Sequence, residues 1–210
     1  MVDVIGDGHC GFWAIAEFFG LTEKSHIMIR RHLIQELKDH KNDYVRVYVG
    51  EDRYNYILNG LHPLINSGGI ALVDKWLTFP DMGHIVSNYY NRCVVLLSNH
   101  EIGTSESFFL LRGLPPAKQK NFIMCLGLIP NHFVLLFLMD GCPLPPSSTE
   151  WNNHRSINAL TWEFEYLDQH ARFRDLMIIQ KGENSPQPKK ESNEEKPILC
   201  DTPEKNKARI

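Results

Sequence analysis

Two residues that together can make a thiol hydrolase lie far apart in this chain, Cys10 and His132. Cys10 follows the turn signal Gly6-Asp7-Gly8, in which glycine adopts positive φ without steric cost and aspartate bonds to the nearby backbone. The apolar residues after Cys10 recur at helical spacing, which predicts a helix N-terminus at the thiol. Unpaired N–H groups and the helix dipole favour a thiolate there, and the N–H groups from Gly8 to Cys10 can converge on an oxyanion. The pattern therefore indicates nucleophilic chemistry.

Cys10 also has a structural interpretation. Cysteine is among the most buried residue types, so a single cysteine beside phenylalanine is commonly a packed core thiol. A core thiol does not need a Gly-Asp-Gly turn before it, and the turn therefore favours the reactive interpretation. The structural interpretation predicts slow alkylation of Cys10 in the native protein.

His132 is the histidine best placed to act as the base that a nucleophilic cysteine needs. It follows the turn Ile129-Pro130-Asn131 and opens the most apolar strand predicted in the chain, which would hold its ring at a strand end. A strand-end histidine can also simply satisfy a local hydrogen bond. Its pairing with Cys10 favours a functional role, because such couples form by proximity in space rather than in sequence. Other histidines lie on polar helices, among charged residues or in a loop: His26, His32, His40, His100, His154 and His170.

The elements that must position these two residues begin with helices and continue with strands. Helices are predicted over 22–40, over 42–61 with a break near Gly50, and over 79–91 with Pro80 in the first turn. Strands are predicted for the short apolar runs 93–98, 107–113, 121–128 and 132–139. The polar face of the helix over 22–40 is expected to carry Lys24, Arg30, Arg31 and Glu36. Helices first and strands later indicate an α+β domain.

The last predicted element is a helix over 157–179, with Leu160, Phe164, Leu167 and Phe173 as its apolar face. From Lys181 onward the chain is charged and interrupted by proline, and it has too few apolar residues to offset the entropy of ordering. We therefore expect one domain over 1–180 and a disordered tail over 181–210.

Composition excludes several classes of function. A chain of 210 residues with 43% hydrophobic content can bury one substantial core, and a net charge of −3 argues against a nucleic-acid surface. No apolar run is long enough to span a bilayer, and no secretory signal is visible. Five cysteines without paired spacings favour reduced thiols in the cytosol or nucleus, and argue against a disulfide framework or structural zinc.

The motifs around the two candidate residues resemble those of a known family. "GDGHCGFWAIA" resembles the Asp-Gly-x-Cys-x-Phe-x-Ala signature of the OTU (ovarian tumour) cysteine proteases, and "NHFVLLFL" resembles their His-aromatic box. The segments "IRRHLIQEL", "KWLTFPDMGHIVSNYYN" and "GCPLPP" with Trp151 are similar to the OTU domains of transposon-derived eukaryotic proteins. The resemblance extends from about residue 2 to residue 180.

The resemblance implies a papain-like α+β fold, with a small central sheet flanked by helices, that hydrolyses conjugates of ubiquitin or of a ubiquitin-like protein. By it, Cys10 is the nucleophile, His132 is the general base and later the acid, and Asp7 is the signature aspartate whose loop shapes the oxyanion site. It implies no metal and no organic cofactor. We expect a monomer.

The sequence departs from the family pattern at three positions. His9 and Trp13 stand where the signature usually has Asn and Arg, and Val134 stands where many members have an Asp or Asn that orients the catalytic histidine. Asn131, Asp3 and Asp140 are the residues that can replace it, and the sequence does not choose among them. The alternative function is therefore a catalytically inactive OTU-like module that binds ubiquitin or another protein partner.

Overall fold

A computed structural model describes residues 1–22, 25–62, 69–99, 101–115 and 123–183. The part of the expected tail from 184 to 210 lies outside these residues, as does Lys24. The α-helices are α1 (Cys10–Phe18), α2 (Ser25–Asp39), α3 (Lys41–Val47), α4 (Glu51–Leu61), α5 (Gly83–Tyr90), α6 (Thr149–His154), α7 (Thr161–Phe164) and α8 (Leu167–Glu183). The strands are β1 (Cys93–Ser98), β2 (Glu106–Phe108), β3 (Ile123–Ile129) and β4 (His132–Leu136), and short 3-10 helices cover Val73–Lys75 and Ile157–Leu160.

The four strands form one mixed sheet in the order β2-β1-β3-β4. The central strands β1 and β3 are parallel, and each outer strand pairs antiparallel with its neighbour. Helix α1 packs against β3 and β4, and α5 packs against β1 and β2. The α+β class is confirmed, as are the helix at Cys10, the break at Gly50 and the strand that starts at His132. Within the described residues, no helix has the length and apolar character needed to cross a membrane.

The strand predicted over 107–113 is mostly wrong, because only Glu106–Phe108 pairs with β1. The backbone beyond it finds its hydrogen bonds elsewhere. The Phe109 carbonyl accepts from His84 Nδ1 at 3.0 Å, and the Leu110 carbonyl accepts from Trp151 Nε1 at 2.8 Å. Buried backbone groups need partners, and here side chains and other loops supply them in place of a sheet neighbour. The helix expected from Pro80 similarly begins only at Gly83, after a turn in which the Pro80 carbonyl accepts from the Gly83 N–H.

The single helix predicted over 157–179 is also wrong. The chain there forms a 3-10 turn, the short helix α7 and the longer α8. Phe164 and Leu167, which were expected on the apolar face, are exposed. The buried positions are Ala159, Trp162, Tyr166 and His170, which also recur at helical spacing. This face is buried because its aromatic side chains pack together: the Phe109 ring stacks with the rings of Trp162 and Tyr166.

His84 joins α5 to the segment after β2 and to the start of α6. Its Nδ1 donates to the Phe109 carbonyl, and its Nε2 accepts from the Ser148 hydroxyl at 2.8 Å. Ser148 in turn caps α6 by accepting from the Trp151 N–H. Burial lowers the pKa of His84 from 6.5 to about 4, because the charged ring would be desolvated.

We expect this neutral histidine to make the fold sensitive to acid. The pKa of His84 is lower in the folded protein than in the unfolded chain, so its contribution is fully present above about pH 6.5 and is lost as the pH falls towards 4. The loss is roughly 3 kcal/mol in the free energy of unfolding, measurable by urea denaturation across this window. His84→Asn keeps a donor for Phe109 but cannot titrate, so it should flatten the pH dependence. The same change at the exposed His62 should leave the dependence as it is.

Candidate active site

The turn before α1 is held in shape by Asp7. Its Oδ1 accepts from the His9 N–H at 2.8 Å, and both carboxylate oxygens accept from Trp13 Nε1 at 3.1 and 3.2 Å. Its carbonyl accepts from the Ala71 N–H. The His9 N–H was expected to be one of the donors to an oxyanion, but it donates to Asp7 instead. The N–H groups of Gly8 and Cys10 are then the two expected donors to an oxyanion.

Two glycines allow a second segment to lie against this turn. Gly8 has φ of +79°, and a side chain there would meet the Ala71 carbonyl oxygen at 2.6 Å. A side chain at Gly11 would meet Leu77 Cβ at the same 2.6 Å. The segment from Ala71 to Leu77 can therefore cover the turn and the first residues of α1 only because these two positions lack a Cβ.

Cys10 is the first residue of α1, as predicted, and its side chain is only 6% exposed. Burial raises the pKa of the Cys10 thiol, although the N–H groups of Phe133 and Gly11 lower it in part. The expectation that the helix N-terminus would favour a thiolate is therefore wrong for this state, because desolvation outweighs the backbone donors. Cys10 is a thiol at neutral pH, and a base must take its proton when it reacts.

His132 is the first residue of β4 and directly precedes a residue that contacts Cys10. The N–H of the next residue, Phe133, donates to Cys10 Sγ at 3.4 Å. The His132 ring is oriented by Asp3, because its Nε2 donates to Asp3 Oδ1 at 2.8 Å. The Nδ1 edge of the ring faces Gly6 in the turn that leads to Cys10, where a Cβ would lie 3.7 Å from Nδ1. The structure thus places the His132 ring between Asp3, to which it is hydrogen-bonded, and the turn that leads to Cys10.

Asp3 reaches the ring through a short backbone pairing. Val2 and Leu135 exchange hydrogen bonds of 2.8 and 3.0 Å across an antiparallel bridge, which places the next residue, Asp3, alongside β4 within reach of the His132 side chain. The pKa of the Asp3 carboxyl lies below its usual value because His132 and the Val4 N–H donate to it. Of the three residues that could replace the missing Asp or Asn, Asp3 is the one with a hydrogen bond to His132. Val134 packs against Gly127, where a Cβ would meet it at 2.9 Å.

A cleft of about 580 Å³ opens beside Cys10. It is lined by the segment from Trp76 to Pro80, by Asn131 and Phe133, and by residues of the two central strands. Glu106 and Glu150 also line it. A cleft of this volume is large enough for a short segment of peptide.

Arg30 contacts the turn over residues 6–9 through the His9 ring, a role that the sequence did not predict. It was expected on the polar face of α2, yet it is fully buried, and Glu36 from the same face is 8% exposed. The Arg30 guanidinium contacts His9 Nδ1 at 3.0 Å and donates to the carbonyls of Gly60 and Lys75. Burial, with help from Arg30 and His26, lowers the pKa of His9 to about 4, so His9 accepts from Arg30 as a neutral ring. The sequence signal that could have indicated a buried arginine is its position between apolar residues in "IRRHLI".

If Cys10 and His132 act as the catalytic couple that the motif resemblance implies, Asp3→Ala should lower kcat about tenfold to a hundredfold with KM unchanged, because the ring loses its orientation but the cleft does not change. Asp3→Asn keeps an acceptor oxygen and should recover part of the loss. The measurement is steady-state hydrolysis of a fluorogenic ubiquitin C-terminal substrate.

Asp140→Ala is the matched control for this prediction, since Asp140 is an exposed aspartate that follows β4, the strand that begins with His132. It should leave kcat unchanged. Equal rates for the parent and Asp3→Ala would contradict a positioning role for Asp3.

No family model, no curated protein and no solved structure matches this chain significantly. Within the described residues, no group of three or more His, Cys, Asp or Glu side chains is arranged to hold a metal ion. The arguments for a function are therefore the geometry around Cys10 and the sequence motifs that contain it.

Proposed function

We propose that this protein is a cysteine-type isopeptidase of the OTU kind, with a papain-like fold, that hydrolyses conjugates of ubiquitin or of a ubiquitin-like protein. The observation that carries the proposal is the arrangement of His132. Its Nε2 donates to Asp3, its Nδ1 edge faces the turn before Cys10, and the next N–H along the strand contacts the Cys10 sulfur. This is the arrangement that a base needs when it serves a thiol.

The chemistry follows from the protonation states. Because burial keeps Cys10 as a thiol, His132 Nδ1 accepts its proton while the sulfur attacks the substrate carbonyl. The oxyanion that forms is stabilised by the turn N–H groups of Gly8 and Cys10. His132 then gives the proton to the departing lysine amine, and the C–N bond breaks to leave a thioester. Water, deprotonated by the same ring, attacks the thioester and releases the carboxylate and the Cys10 thiol.

The cleft supports a substrate that arrives as an extended chain. The Trp76–Pro80 segment and Phe133 line it together with Cys10. The segment is held against the turn by the bond from the Ala71 N–H to the Asp7 carbonyl. An extended tail that ends in small residues, such as the C-terminal glycines of ubiquitin, is the substrate that we propose for this cleft. The motif resemblance supports the same class of substrate.

A second candidate is a binding module without turnover. The observation that favours it is the burial of Cys10, which is 6% exposed and has a raised pKa. Such a module would hold the same tail in the same cleft, and the thiol would remain unreactive. The two candidates differ in whether substrate is consumed.

The test is incubation of the full chain with a panel of isopeptide-linked diubiquitins, and of conjugates of ubiquitin-like proteins, alongside Cys10→Ala. We expect cleavage of at least one conjugate by the parent and none by the variant, with both proteins showing the same circular dichroism. Binding without cleavage at high protein concentration would replace the proposal by the second candidate. Neither binding nor cleavage would leave Cys10 as a structural thiol.

A further inference from the structure

A second pocket, of about 340 Å³, lies between α3, the segment after β2 and the end of α6. Four basic side chains line it: Arg46, Arg112, His154 and Arg155. Its walls include the buried aliphatic side chains of Val47 and Leu111, and the bond from the Ser156 N–H to the Leu111 carbonyl closes one side. Only one acidic residue, Asp43, is among the described residues that line it.

Arg112 is held by two carboxylates and forms a fixed part of the wall. One of its terminal nitrogens pairs with Glu36, and the other donates to Asp43 Oδ2 at 2.9 Å. Glu36 also accepts from the Tyr44 hydroxyl at 2.8 Å, which holds this group rigidly. The acidic residues near the pocket are thus engaged with Arg112.

The other two arginines have no carboxylate partner within 4 Å in the part of the chain that the structure describes. Arg155 lies over the Trp151 ring, with its guanidinium carbon 4.6 Å from the ring centroid. Its hydrogen bonds go through one terminal nitrogen to the carbonyl and the side chain of Asn152. Arg46 is exposed at the rim. In a chain of net charge −3, two such guanidinium groups beside a histidine form a local site of positive charge.

We propose that this pocket binds a phosphate monoester carried by a phosphorylated serine or threonine of a protein segment. A phosphate offers more acceptor oxygens to the planar donors of two guanidinium groups than a single carboxylate does. The pocket is much larger than a bare phosphate, and its aliphatic walls suit the stem of a side chain. No Phe, Tyr or Trp is among the described residues that line it, so the pocket has none of the large aromatic rings that most often stack on a nucleotide base. The proposal does not depend on the chemistry of Cys10.

The test is isothermal titration of the full chain with inorganic phosphate, with O-phosphoserine and with a short phosphoserine peptide, against the unphosphorylated peptide. We expect the phosphopeptide to bind about tenfold more tightly than inorganic phosphate, and the unphosphorylated peptide not to bind. Arg46→Gln should weaken phosphopeptide binding by about tenfold or more. It is the informative variant because Arg46 is exposed and its loss should not affect folding. Arg155→Gln should weaken binding similarly.

Arg53→Gln and Arg172→Gln are the controls, since both replace arginines outside this pocket, and both should bind like the parent. Equal binding by Arg46→Gln and the controls would overturn the proposal, as would the absence of phosphopeptide binding at millimolar concentration. Binding of phosphate and O-phosphoserine but not of the peptide would overturn the assignment to a protein segment in favour of a small phosphate ester.

Discussion

Replacing His132 by alanine should lower kcat/KM for a ubiquitin-derived substrate by about 10⁴-fold, the upper end of what a general base contributes. The effect is expected to be that large because burial keeps Cys10 protonated, so attack by the sulfur requires proton transfer to the ring. A cysteine that rests as a thiolate would depend less on its base. The measurement is steady-state hydrolysis of a fluorogenic ubiquitin C-terminal substrate at neutral pH.

The fold should tolerate this change, because His132 lies at a strand end and its side chain is 19% exposed. Thermal denaturation of the variant checks that point. His40→Ala is the matched control, since its side chain is 42% exposed and lies at the end of α2. A variant without His132 that keeps a tenth or more of the parent's activity would show that another group removes the proton.

Replacing Arg30 by methionine should reduce the free energy of unfolding by roughly 3 kcal/mol or more. Methionine can fill most of the volume but donates no hydrogen bonds. The carbonyls of Gly60 and Lys75 and the Nδ1 atom of His9 would lose their buried partner. The contact of the guanidinium with the Phe12 ring, 3.8 Å from its centroid, would also be lost. Urea denaturation followed by circular dichroism measures the change.

Arg31→Met is the control, because Arg31 is the next residue of α2 and is exposed. It should cost about 0.5 kcal/mol or less. Arg30→Met should also lower activity more than its stability loss alone explains, since His9 precedes Cys10 in the turn. If the two variants unfold at the same urea concentration, the buried guanidinium does not hold the turn.

The sequence predicted the two ends of the candidate site because both are local features. A Gly-Asp-Gly turn before an amphipathic run located Cys10 at a helix start, and a turn before an apolar run located His132 at a strand start. Each prediction rests on fewer than about twenty residues, a range within which hydrophobic periodicity and turn residues decide the structure.

Long-range contacts produced what the sequence could not predict. Asp3, Asn131 and Asp140 were equal candidates until the pairing of Val2 with Leu135 brought one of them to the ring. Arg30 was assigned to a solvent face because a charged residue is rarely buried without an acidic partner. Here backbone carbonyls of α4 and of the Val73–Lys75 turn, together with a neutral histidine, take the place of that partner.

The pKa of the Cys10 thiol also depends on long-range contacts that the sequence does not reveal. The helix N-terminus is visible in the sequence, and its N–H groups do lower the pKa of the thiol. The desolvation that outweighs them comes from packing against β4 and the segment around Leu77, which no local pattern reveals. On the proposed function, His132 therefore takes the proton of a Cys10 thiol during attack, and Cys10 does not rest as a thiolate.

The central claim is that Cys10 is a working nucleophile, and the most direct measurement is intact mass after incubation with ubiquitin that carries a C-terminal electrophile. The parent, Cys10→Ala and Cys142→Ala are compared, because Cys142 is a half-buried free cysteine that is not among the residues lining the cleft beside Cys10. We predict one added ubiquitin on the parent and on Cys142→Ala, mapped to Cys10 by peptide digestion, and none on Cys10→Ala. No adduct on a folded parent, or an adduct mapped to another cysteine, would contradict the account.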